Sequence, residues 1–101
     1  MNYLKSYKNL IQYCLEKGLL IEVSYEGEVD LPPSSNFHEI VDAVESCECM
    51  NMAMFDGEKV VGWAFVISGL DDEESVADYG VSPLLEDWEA DYSRFMRGKK
   101  L

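Results

Sequence analysis

Cations are what this chain lacks over most of its length. Residues 18–93 contain 19 acids and one base, Lys59, while both ends are basic: net +2 over residues 1–17, −18 over 18–93 and +4 over 94–101. Phosphate binding is driven by lysine and arginine, so the composition argues against nucleic acid and against anionic membranes as partners. Histidine is nearly absent too. With His38 alone, acid–base catalysis would fall to carboxylates, and no histidine pair exists for a metal. Three cysteines, an odd number, without an apolar leader in MNYLKSYKNL point to reduced thiols in the cytoplasm rather than a disulfide framework. No apolar run approaches the ~20 residues that span a bilayer. The seven glycines form neither a dinucleotide nor a phosphate-loop pattern, and Gly-x-Ser-x-Gly, HExxH and EF-hand spacings are missing. These absences predict a non-enzymatic protein without a cofactor.

What is present is enough for a core. Apolar residues make up 48% of 101 residues, and twelve residues are aromatic. That length supports one domain over residues 1–101 with a single hydrophobic centre.

Hydrophobic periodicity assigns the elements. Tyr3, Leu4, Tyr7, Leu10, Ile11 and Cys14 recur at helical spacing, predicting a helix over about 2–17 that stops at Gly18. In LLIEVSYEGE, residues 19–28, apolar and polar residues alternate, as on a half-buried strand. VDLPPSSN then reads as an exposed turn, because paired prolines interrupt a ladder. Asn36 with Glu39 three residues on is a helix start, and Phe37, Ile40, Val41, Val44 and Cys47 give that helix an apolar face. His38 is expected on the opposite side, paired with Asp42 one turn on or simply solvated.

The segment ESCECM, residues 45–50, looks most like chemistry. Yet nine residues of helix turn His38 about half a turn away from Cys47, so the two cannot share an ion. Cys47 and Cys49 alone are half of a tetrahedral site at best. The expectation is a helix-to-strand junction with small buried thiols.

MAMFDGEKVVGWAFVIS predicts a hairpin around Asp56-Gly57. Whether two or four residues form the loop, the pairing sets Met50, Met52 and Met54 beside Val61, Trp63, Phe65 and Ile67. This bulky face is expected under the helices, with Trp63 and Trp88 both in the core. The acidic run Asp71, Asp72, Glu73 and Glu74 follows, and SVADYG is a short further strand. Ser82-Pro83 then opens a helix that Gly98 should end.

The predicted fold is α+β: two layers, a mainly antiparallel sheet of three to four strands and three helices, in the order α-β-α-β-β-(β)-α. Its most distinctive chemistry is charge. In size and charge the chain is similar to small bacterial or phage accessory proteins, such as acidic nuclease inhibitors, immunity proteins and DNA mimics, which use carboxylates held on a rigid frame to engage a basic protein. On that reading the partner-binding residues are Asp71, Asp72, Glu73, Glu74, Asp78, Glu86, Asp87, Glu89 and Asp91. Two alternatives stand beside it: a divalent cation held by the 71–74 run, for which oxygen ligands suit calcium or magnesium, and acidity that serves solubility alone.

Overall fold

A computed structural model describes residues 3–100. Three helices, α1 (Ser6–Glu16), α2 (Phe37–Glu45) and α3 (Pro83–Lys100), pack on one face of an antiparallel sheet. Its five strands are β1 (Leu20–Tyr25), β2 (Glu28–Ser34), β3 (Cys49–Asp56), β4 (Lys59–Ile67) and β5 (Val76–Tyr79), arranged β2-β1-β3-β4-β5. The class is α+β as the periodicity predicts; the sheet is wider than expected by the strand hidden in the presumed turn.

That strand is β2. Glu26 and Gly27 sit at φ 49° and 83° and close a two-residue hairpin between Tyr25 and Glu28, the pair of positive φ angles that suits the twist of the flanking strands. Pro32 and Pro33 therefore do not mark a turn. They lie in an edge strand where the pairing with β1 is irregular, between Leu31 opposite Val23 and Ser34 opposite Ile21. The missing N–H groups thus fall at a break in the ladder.

The helix boundaries follow local chemistry. Asn36 Oδ1 accepts the Glu39 N–H at 3.1 Å, and Ser34 Oγ links the Asn36 N–H to the Glu39 carboxylate, a capping box completed through a third residue. Ser82 and Pro83 start α3 as expected. Gly98 does not stop it, since helical φ is open to glycine and the helix continues to Lys100. The first helix begins later than its stripe suggests: Tyr3 and Leu4 precede it and Leu4 is exposed. The predicted start at residue 2 lies outside the described residues. The ESCECM junction holds, but α2 ends at Glu45, leaving Cys47 exposed and Cys49 half-buried rather than packed away. Only Cys14 is fully buried, and burial pushes its thiol up to about 12. His38 is exposed and meets the Phe37 ring edge-on; no ion pair joins it to Asp42 among the described residues.

One residue decides which side of the sheet is inside. Asp56 pairs with Lys59 and Phe55 with Val60, but Met54 then pairs with Gly62, leaving Val61 as a bulge. Beyond it the register is shifted by one, so Met52 faces Ala64 and Met50 faces Val66. The expected face of β4 is thereby inverted, since a one-residue slip sends every side chain of that strand across the sheet, while Met50, Met52 and Met54 of β3 lie under the helices as predicted. The buried face carries Ile21, Val23, Met50, Met52, Met54, Ala64 and Val66. Trp63, expected in the core, is 45% exposed on the opposite face, whereas Trp88 is buried. The inner face of β4 is small because the helices come close: a β-carbon on Gly62 would lie 2.5 Å from Leu85 Cδ2.

The helices close over this face with Leu10 and Ile11 of α1, Ile40 and Val44 of α2, and Leu85 and Trp88 of α3. Polar links tie the layer together. Ser6 Oγ lies 2.8 Å from Ser75 Oγ and accepts the Val76 N–H, fixing α1 to β5. The Trp88 indole N–H donates to Asn9 Oδ1 at 3.0 Å. Tyr7 donates to the Glu45 carboxylate, joining α1 to α2.

Candidate functional site

The acidic run and α3 meet in space, and aromatic rings form the floor between them. Asp72–Glu74 make a single 3₁₀ turn before β5. From there Glu73 faces a concavity of about 320 Å³ lined by Val76 and Tyr79 of β5 and by Trp88, Glu89, Tyr92 and Met96 of α3. A second concavity of about 390 Å³ adjoins it, sharing Glu73 and Met96 and adding Asp71, Asp72, Glu74 and Lys5. Together they form a groove along the β5 edge.

The floor is fixed by ring contacts. Trp88 stacks on Tyr92 with centroids 5.4 Å apart, and Tyr79 meets Trp88 edge-to-face at 5.9 Å. Tyr92 Oη donates to the Leu4 carbonyl at 2.5 Å, and Tyr79 Oη donates to Glu89. Glu89 is thus held in place by a hydroxyl instead of being neutralised by a cation. The tyrosines register the surrounding negative potential. Burial and the Glu89 hydrogen bond push the Tyr79 phenol up to about 12; burial and the charges of Glu73 and Asp72 do the same to Tyr92.

The structure divides the nine residues singled out by charge. Asp71, Asp72, Glu73, Glu74 and Glu89 border the groove. Glu86 is on the Glu89 flank of α3, close enough for its charge to act on Tyr79. Asp87 and Asp91 turn to the other flank, at about 100° per residue, and Asp91 is paired with Arg94 at 3.3 Å. Asp78 is elsewhere: it pairs with Phe65 and projects from the sheet face away from the helices, its Oδ1 accepting the Tyr79 N–H at 2.9 Å. Of the groove acids, Asp72 has an ion pair, with Lys5 at 3.9 Å. Among the C-terminal cations, Arg94 pairs with Asp91 on its own helix and Lys99 sits above the Phe95 ring.

Tyr79, Trp88 and Tyr92 are the residues that charge alone did not single out. Their signal was the tyrosine and tryptophan content of α3 and β5, which core packing explains equally well. Among the described residues no three His, Cys, Asp or Glu side chains gather as a metal site. No helix there is long and apolar enough to cross a membrane. Compared with family models, curated proteins and solved structures, the chain matches none.

Proposed function

We propose that the protein is a non-enzymatic interaction module that binds a basic protein partner through the groove between the 71–74 turn and α3. The observation that carries this reading is the placement of Glu73 and Glu89, from elements separated in sequence, on the two sides of a rigid Tyr79–Trp88–Tyr92 floor. Carboxylates fixed in advance need little reordering when a lysine or arginine arrives, and the net charge of −12 accelerates the encounter. An inhibitor, immunity protein or DNA mimic would use such a surface, because its target's cationic site otherwise holds phosphates. A role for acidity in solubility alone would not require the acids to converge on an aromatic floor.

The reading is tested by calorimetric titration with a small basic ribonuclease at several salt concentrations. Glu73→Gln combined with Glu89→Gln should weaken binding at least about tenfold and lower its salt dependence. Glu26→Gln with Glu28→Gln, the same loss of charge at the β1–β2 hairpin, should do far less. Equal weakening by both pairs would reduce the effect to net charge and remove the groove from the mechanism.

A further inference from the structure

Among the described residues no helix covers the sheet face turned away from α1, α2 and α3. Phe55, Val60, Trp63, Phe65 and Ile67 project from it, with Trp63 45% and Val60 55% exposed. A two-layer domain ordinarily gives its solvent face polar side chains. Here the charged ones are few and of one sign, with Ser24 and Asn51 as uncharged polar neighbours. Glu22, paired with Ala53, and Asp78, paired with Phe65, stand on either side of the apolar band. The strands contain one cation, Lys59, at the hairpin end, and none of the three ion pairs among the described residues involves Glu22 or Asp78.

Partners that add a strand are disfavoured at both edges. β2 has Pro32 and Pro33, which lack donors. On β5 the Val76 N–H is taken by Ser6 Oγ and the Tyr79 N–H by Asp78 Oδ1. A second copy is disfavoured by charge, since face-to-face packing would bring like carboxylates together on two chains of −12 each. What complements an apolar band between unpaired acids is an apolar segment between cations.

We infer that the open sheet face docks an amphipathic, cationic helix of a partner protein, its apolar side chains covering Trp63 and Phe65 and its lysines or arginines reaching Glu22 and Asp78. Such a helix would complete a three-layer α/β/α arrangement. The inference rests on the basic-partner reading for the sign of the partner's charge, and uses a different surface from the groove.

The test is titration with a synthetic helical peptide of leucine and lysine, followed by tryptophan emission. An all-lysine peptide and a leucine–glutamate peptide serve as controls. The leucine–lysine peptide should bind saturably and shift the emission to the blue. That shift should vanish in Trp63→Phe, since Trp88 is already buried. Phe65→Ser and Val60→Ser should each weaken binding; Val60 is exposed enough that its replacement spares the fold. Glu22→Gln with Asp78→Asn should weaken it at least about tenfold, and Glu26→Gln with Glu28→Gln, the same loss of charge at the β1–β2 hairpin, should leave it unchanged. Equal affinity for the all-lysine peptide, or loss only in the Glu73/Glu89 variant, would overturn the sheet-face site while leaving the groove intact. Equal affinity for the leucine–glutamate peptide would overturn the charge assignment. Concentration-dependent self-association in sedimentation, abolished by Phe65→Ser, would give the face to a second copy and overturn the inference. No binding by either cationic peptide would sink this site and count against the groove as well.

Discussion

The indole of Trp63 lies over the backbone of Gly80, so close that a β-carbon at position 80 would sit 2.1 Å from Nε1. The two residues are also joined through the sheet, the Gly80 N–H donating to the Trp63 carbonyl at 3.2 Å. An exposed tryptophan is thus held flat in a fixed orientation on the open face.

Gly80→Ala should displace that ring. The indole must swing off the strand, so emission from Trp63 should move to the red and its quenching by iodide should increase. The loss of cross-strand packing should cost about 1 kcal/mol or less, measured by urea unfolding. Unchanged emission would mean that the ring is not seated on residue 80.

The two tryptophans should differ widely in their weight. Trp88→Ala empties a buried position and strands the Asn9 amide, and should cost roughly 3–5 kcal/mol. Trp63→Ala removes a half-exposed ring and should cost about 1 kcal/mol. Chemical denaturation of the two variants side by side measures the difference.

Ser6→Ala should be costly for so small a change. It deprives the Val76 N–H of its acceptor and the Ser75 hydroxyl of its neighbour, both buried, and should remove about 1–3 kcal/mol. Hydrogen exchange at the Val76 amide should accelerate by more than that at Met52 in the sheet centre.

Alkaline pH should unfold the protein early. Tyr79 and Tyr92 keep their protons up to about 12 when folded but release them near 10.0 when unfolded. Between those values the folded state binds more protons. The stabilisation is therefore full below pH 10 and is lost as pH rises towards 12. Tyr79→Phe and Tyr92→Phe should each flatten that decline, as followed by thermal melts across the range. A decline equally steep in both variants would separate the alkaline transition from the groove tyrosines.

The helices were legible because their signals are local. Asn36 with Glu39, Ser82 with Pro83, and the stripes of α1 and α2 each state their element within one or two turns. β2 was less so. Its prolines speak of an interruption, and its position at the sheet's edge together with the register break opposite Glu22 makes them harmless. In the hairpin, alternation places Met50, Met52 and Met54 inside correctly but not their partners on β4, because Val61 shifts the register without changing the pattern around it. The site was legible as charge but not as geometry. Nothing in DDEES or LLEDWEADY says that Glu73 and Glu89 share a groove, that Asp78 leaves it, or that Arg94 takes Asp91.

The bulge at Val61 has a consequence for the chain's tolerance of insertion and deletion. Were Val61 instead drawn into an unbroken ladder opposite Met54, Trp63 and Phe65 would turn inward and Gly62, Ala64 and Val66 out; deleting Val61 would leave Gly62 opposite Met54 and the present faces intact. The hairpin thus encodes two mutually exclusive interiors, one thick and one thin. The close seat of Leu85 over Gly62 accepts the thin one only, so the last helix acts as the proofreader of the sheet's frame.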